Sequence, residues 1–237
     1  TRALSSAASD VYKRQDIHMT IPGILTNGVF LYDFKNEKYV SVENIGAEVA
    51  KQVVKIFKDV KLSCFVYIFT QDKINVYYDT KSMEEQTQYY SDRALEKCGE
   101  VKMVSDLKQI LNTGDICYLA YTGHKEELQP VCEKLDKLKG ICYSFYLNIY
   151  NGMYCLEIFS DKANKKNALI KLKKLLECEE VVVFGDNFND LPMIELADRS
   201  YAPENALPEI KEKVTEVLED CDHDGVAKFL KNEFSEN

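Results

Sequence analysis

The run Val181-Val182-Val183-Phe184-Gly185-Asp186-Asn187-Phe188-Asn189-Asp190-Leu191-Pro192 sets the tightest limit on what this chain can fold into. Three β-branched residues and a Phe, closed off by Gly185, have the pattern of a short strand buried in a parallel sheet. Pro192 suits the first turn of a helix, so the chain passes from strand to helix within this one loop. Two acids and two amides therefore crowd a strand end. In open α/β sheets ligands collect at the carboxyl ends of strands, and a helix N-terminus there favours anions. Hard cations such as Mg²⁺ take carboxylate oxygens and keep several waters. Asp186, the first residue after the turn, is the natural direct ligand. Asn189 and Asp190 are placed to orient phosphate, water or the loop itself. The competing reading is a polar turn with Asp190 as helix N-cap, but capping needs one such residue and not four.

With 237 residues and 46% hydrophobic content, the chain can form one large or two small domains with a sizeable core. A net charge of −9 argues against a surface that tracks nucleic-acid phosphates. Small-molecule partners are expected instead. No stretch approaches the roughly 18 to 20 apolar residues of a membrane helix, and the N-terminus lacks the apolar core of a signal peptide. The eight cysteines are far apart, without a Cys-x-x-Cys pair. They read as reduced core residues of a cytoplasmic protein.

In order along the chain, residues 1–15 have no convincing strand or helix face and look foreign to the domain that follows. A strand through Leu25, a turn at Asn27-Gly28 and an extended run over 29–32 make a hairpin. Asn27 reads as turn chemistry, with a substrate-side role as the alternative. An amphipathic helix is expected over 43–59, and strands over 62–69 and 74–78. Residues 81–114 read as polar and helical in two pieces. A strand over 115–121, a helix over 124–138 and a strand over 141–147 follow, so that 37–152 alternates helices and strands as an α+β unit. Tyr143, Tyr146, Tyr150 and Tyr154 are read as packing residues, with a pocket lining as the alternative. A strand over 153–159 returns to the main domain, and a helix over 164–176 buries Ala168, Leu169, Leu172, Leu175 and Leu176. By composition, Lys162, Lys165 and Lys166 form a solvated face.

Gly185-Asp186-Asn187-Phe188-Asn189-Asp190-Leu191-Pro192-Met193 resembles the fourth motif of haloacid-dehalogenase-like phosphatases, in particular the Cof-like subfamily, whose pattern is G-D-x-x-N-D-x-x-M. Ala202-Pro203-Glu204-Asn205-Ala206 and Asp224-Gly225-Val226-Ala227 resemble that subfamily's closing segment. Asn164-Lys165-Lys166-Asn167 resembles its third motif, and Leu25-Thr26-Asn27-Gly28-Val29 its segment leading into the cap. The resemblance implies an α/β fold: a Rossmann-like parallel sheet core from 20–36 and 153–237, with a large inserted α+β cap over 37–152; residues 1–19 are left as a non-native or disordered tail. The strand over 23–25 would be the third of the parallel core. It also implies a Mg²⁺-dependent hydrolase of small phosphate monoesters working through an aspartyl-phosphate. Asp186 would bind metal, Lys165 would neutralise phosphoryl charge with Lys166 as fallback, Asn189 would position phosphate or Lys165, and Asp190 would brace the loop. The small phosphorylated metabolite is undetermined.

The first motif, D-x-D-G-T, and the second are absent ahead of Asn27, so the core is expected to be incomplete, with its first two strands missing. A catalytically inactive fragment or a phosphate-binding module is the alternative function. Asp220-Cys221-Asp222-His223-Asp224-Gly225 matches half of an EF-hand loop, but the twelfth position is Lys231 rather than Glu. Nor is it read as the missing nucleophile motif, because it is expected to follow a helix.

Overall fold

Asn27 and Gly28 take positive φ values of 52° and 98°, as a tight reversal demands, and Thr26 joins them at 49°. The turn sends β1 (Gly23–Leu25) back along β2 (Phe30–Asp33) in antiparallel register, Leu25 opposite Phe30. The computed structural model describes residues 21–86, 99–148 and 152–234, in two compact units that divide between Ala163 and Asn164. The expected tail over 1–19 and Tyr150 lie outside the described residues.

In the first unit β2 also pairs with β3 (Lys38–Val42). The turn between them is held by the Asp33 carboxylate, which accepts from the N–H groups of Lys35 and Asn36, both at 3.0 Å. Two expectations change here. Gly23–Leu25 pairs with its own hairpin partner rather than standing as a parallel strand of the main sheet. Residues 38–42, expected at the start of the cap, complete the same small sheet. Short turns made both pairings local, and local antiparallel pairing costs little loop entropy.

Next comes α1 (Ala47–Asp59), which buries Val53, Val54 and Phe57. β4 (Phe65–Thr70) and β5 (Lys73–Tyr78) then form a hairpin whose two turn residues, Gln71 and Asp72, both have positive φ. After them come α2 (Lys81–Gln86), β6 (Val101–Met103) and β7 (Asp115–Gly123). Of the two helical pieces expected over 81–114, the structure shows α2 and, after strand β6, a single 3-10 turn over Leu107–Gln109, while 87–98 lies outside the described residues. α3 (Lys125–Leu135), β8 (Ile141–Asn148) and β9 (Met153–Ser160) close the unit.

These strands form a six-stranded sheet in the order β6-β5-β4-β7-β9-β8. β9, expected to return to the main domain, instead lies between β7 and β8 of this sheet. The reason is visible in its burial. Leu156 and Ile158 are fully buried on one face, while Cys155, Glu157 and Phe159 are buried on the other. Such a two-sided pattern marks an inner strand without saying which sheet it enters. The tyrosines pack or bond: Tyr143 donates to Asp136 at 2.7 Å, and the Tyr154 ring lies 5.0 Å from Phe145.

The second unit starts with α4 (Lys165–Leu176), capped by Asn164, whose side chain accepts the Asn167 N–H at 2.8 Å. β10 (Val182–Phe184), α5 (Leu191–Ile194), β11 (Arg199–Pro203), α6 (Pro208–Lys211), β12 (Glu216–Leu218) and α7 (Gly225–Phe234) follow. β10, β11 and β12 make a parallel sheet in that order. Its core gathers Val181, Val183, Ile194, Ala202, Ala206 and Ile210. On β10 and β11, Phe184 and Tyr201 pack against Phe229 of α7. The expected buried stripe of α4 is only partly realised: Ala168 is buried, but Leu175 is 48% exposed. Three strands offer a helix of this length too little surface to cover it. The Asp-His-Asp-Gly stretch follows strand β12 and not a helix, because Glu216–Leu218 is too short to show a period of its own.

Among the described residues Cys64, Cys117, Cys132 and Cys155 are buried, whereas Cys178 and Cys221 are exposed, which corrects the uniform core reading. Burial pushes the thiols of Cys64 and Cys117 far up, and burial with the nearby Asp161 charge pushes Cys142 up to about 11. The thiolate is the nucleophile, and a raised value leaves it scarce at neutral pH. Iodoacetamide applied to the folded protein should therefore modify Cys178 and Cys221 well before Cys64, Cys117 or Cys142, as read by peptide mass spectrometry.

Candidate active site

β10 ends at Phe184, and Gly185 is bound to the neighbouring strand by its N–H to the Tyr201 carbonyl at 3.1 Å. A Cβ at position 185 would sit 2.6 Å from the Cβ of Asp190 and 3.1 Å from Ile194 Cδ1. Glycine is what lets Asp190 fold back against the strand end. Asp190 is 4% exposed, and its carboxylate is bonded on both oxygens. Oδ2 accepts the N–H groups of Asp186 at 3.0 Å and Asn187 at 3.3 Å, and Oδ1 accepts from Lys165 Nζ.

This geometry decides between the readings of Asp190. It stands at the N-cap of α5, yet its side chain makes no capping bond there. It closes the preceding loop instead. The partner of Lys165 is Asp190 and not Asn189, and Lys165 rather than Lys166 makes that contact. The register follows from Asn164: its cap puts Lys165 at the first helical position, beside the loop.

With the backbone so held, Asp186, Asn187, Phe188 and Asn189 are all exposed at the carboxyl end of the sheet. Asn187 Oδ1 accepts the Phe188 N–H at 2.7 Å. The Asp186 carbonyl accepts the Leu207 N–H at 3.1 Å, which ties the loop after β11 to the same point. Among the described residues neither the Asp186 carboxylate nor the Asn189 amide has a side-chain partner. An exposed carboxylate with free oxygens, in a loop whose Asp190 holds a lysine, fits Mg²⁺ in kind, since that ion is bound through one or two carboxylates with waters and phosphate oxygens filling the rest. No cluster of three or more His, Cys, Asp or Glu that could cage a metal occurs among the described residues. The half EF-hand forms no cage: Asp220 Oδ1 takes the His223 N–H at 2.9 Å and its Nδ1 at 2.5 Å. Asn27 sits at its hairpin turn in the first unit.

The family model for haloacid dehalogenase-like hydrolases matches residues 4–230. The chain belongs to this family. The match begins within the stretch that the sequence reading set aside as foreign. The 5-amino-6-(5-phospho-D-ribitylamino)uracil phosphatase YwtE of Bacillus subtilis is 30% identical over 134 residues, which is 55% of this chain and 45% of YwtE. The chain thus spans less than half of that relative. A putative phosphatase of Buchnera aphidicola is 28% identical over 244 residues, covering 96% of this chain and 81% of its own length. A Thermotoga maritima crystal structure shares the fold, with a TM-score of 0.67 at 23% identity over 99% of this chain and 83% of that one. YwtE and the HMP-PP phosphatase of Klebsiella pneumoniae, both similar to this chain, are named as phosphatases. Among its described residues no helix is long and apolar enough to cross a membrane.

Two substitutions test the loop. Gly185→Ala should cost about 1–3 kcal/mol in urea unfolding through overpacking against Asp190. Gly46→Ala, where nothing lies within 4 Å of the added Cβ, should not. Asp190→Ala leaves an ammonium and two loop N–H groups without their acceptor, and should cost about 3 kcal/mol. Asp190→Asn, which keeps an acceptor, should cost less in the same assay.

Proposed function

We propose that this hydrolase is built to cleave small phosphate monoesters with Mg²⁺ held at Asp186. The observation that carries the reading is the division of labour between two acids four residues apart. Asp190 is buried and fully bonded, while Asp186 is exposed with its carboxylate free. A turn that served only to link strand and helix would not need a buried carboxylate to hold it open.

Each residue then has a role. Asp186 holds the metal on its carboxylate, and Asn189 donates its amide to a phosphate oxygen. Lys165 brings positive charge to the transferring phosphoryl group, with Asp190 fixing where its ammonium stands. Coulomb attraction at such a partly shielded site is worth more than in bulk water. The bound Mg²⁺ supplies Lewis-acid neutralisation of phosphoryl oxygens. Attack by a carboxylate would split one difficult displacement into two easier ones. The attacking aspartate of the family's first motif, D-x-D-G-T, has no counterpart ahead of Asn27. YwtE is named for a phosphate monoester, which supports the same substrate class here.

By the same reading the open edge of β10 is completed by further parallel strands, and residues 37–152 act as the cap. In a protein that joins these residues to a strand bearing the attacking aspartate, Asp186→Ala should abolish Mg²⁺-dependent turnover of aryl and sugar phosphates while leaving the circular dichroism spectrum unchanged. Lys165→Ala should lower kcat/KM by more than about 100-fold, equivalent to roughly 3 kcal/mol of charge stabilisation. Near-normal activity in Asp186→Ala would remove the metal assignment, and a larger loss in Lys166→Ala would move the lysine role by one residue.

A further inference from the structure

The six-stranded sheet ends on β8, and no strand among the described residues pairs with its outer edge. β8 is eight residues long and keeps one register with β9 from Ile141 opposite Ser160 to Asn148 opposite Met153, without a bulge. Its sequence, Ile-Cys-Tyr-Ser-Phe-Tyr-Leu-Asn, carries no charge and no proline. Such an edge is uncommon, because exposed strand edges are normally blunted by shortness, lysines, prolines or bulges.

The other edges among the described residues are blunted in those ways. β6 has three residues, one of them Lys102. β3 starts at Lys38 and meets β2 across an irregularity. β1, β10 and β12 have three residues each. β8 alone combines length, regularity and neutrality. On an antiparallel edge alternate residues direct N–H and C=O outward, so β8 presents a strip ready to accept another strand. At its end Leu147 is 46% exposed and Tyr146 37%, on opposite faces.

We propose that β8 is a dimerisation edge, where two copies of the chain pair β8 with β8 in antiparallel sense and join their six-stranded sheets into one. Self-complementarity points to a second copy as the occupant, and charge at the strip does not oppose it. At −9 per chain, copies repel one another over most of their surface, but this strip brings no charge into contact. The exposed Lys137 and Lys139 just ahead of β8 set the direction. Parallel pairing would place the lysines of the two copies side by side, whereas antiparallel pairing sends them to opposite ends.

The contact is self-complementary, as a two-fold interface requires. An axis normal to the sheet near Ser144 sets Leu147 of one copy beside Ile141 of the other, on the face where Tyr143 bonds Asp136. The same axis sets Tyr146 beside Cys142 on the opposite face. Aromatic and aliphatic cross-strand pairs of this kind stabilise sheets, and here they cover the side chains that are exposed in one copy. The proposal stands independently of the phosphatase reading.

The test is the mass of the full chain in solution by light scattering after size exclusion. The wild type should be a dimer, Leu147→Lys should have half that mass with an unchanged circular dichroism spectrum, and Met103→Lys on the opposite edge should stay dimeric. Amides over 141–147 should exchange slowly in the wild type and fast in Leu147→Lys. A monomeric wild type overturns the proposal and leaves the strip to a foreign strand. A dimer that survives Leu147→Lys, or one broken by Met103→Lys instead, places the interface elsewhere and overturns it too.

Discussion

Burying a carboxylate is costly unless every lone pair finds a donor, and Asp190 meets that condition with an ammonium and two backbone N–H groups. The rest of the second unit's chemistry depends on it. Gly185 is small so that Asp190 can approach, α4 starts where it does so that Lys165 can reach, and the loop holds its shape because its first two amides are bound. The consequence is display: Asp186 and Asn189 stand exposed on a backbone that is fixed from behind. A functional group needs such support to be held in one geometry.

The first unit applies the same rule to a purely structural end. The Asp79 side chain is 5% exposed, takes a hydrogen bond from Ser63, and lies 3.2 Å from Lys58 Nζ. Lys58 also reaches Asp106 at 2.8 Å. One lysine on α1 thereby joins the helix to the end of β5 and to the turn at 106–109. The Asp106 carboxyl is held below its ordinary range by that lysine and by the Lys108 N–H. Its contribution is therefore present above the usual carboxylate range and is lost as pH falls through the lowered value. What marks this unit out among the described residues is its edge strand β8.

The local build of the candidate site was legible in the sequence because it is confined to one loop. Strand, glycine, acid, two amides and a second acid follow one another within a single loop, and the helical period of residues 164–176 brought Lys165 to a capped N-terminus. The hairpins at Asn27-Gly28 and Gln71-Asp72, and the helices Ala47–Asp59 and Lys125–Leu135, were legible for the same reason, since turn chemistry and amphipathic period act over a few residues.

Sheet membership was decided only by tertiary structure. β1 and β9 were correct as strands and differently placed as partners, because a strand's apolar pattern records how much of it is buried but not which edge it meets. The division of roles between Asp186 and Asp190 was likewise undecided by composition, since both are acids beside a strand end. Burial separated them: the side chain packed against Gly185 became the clamp, and the exposed one kept its oxygens free. Residue types determined by themselves that this loop would hold charge at a strand end. Only the packing of Asp190 against Gly185 and Lys165 determined which acid faces solvent.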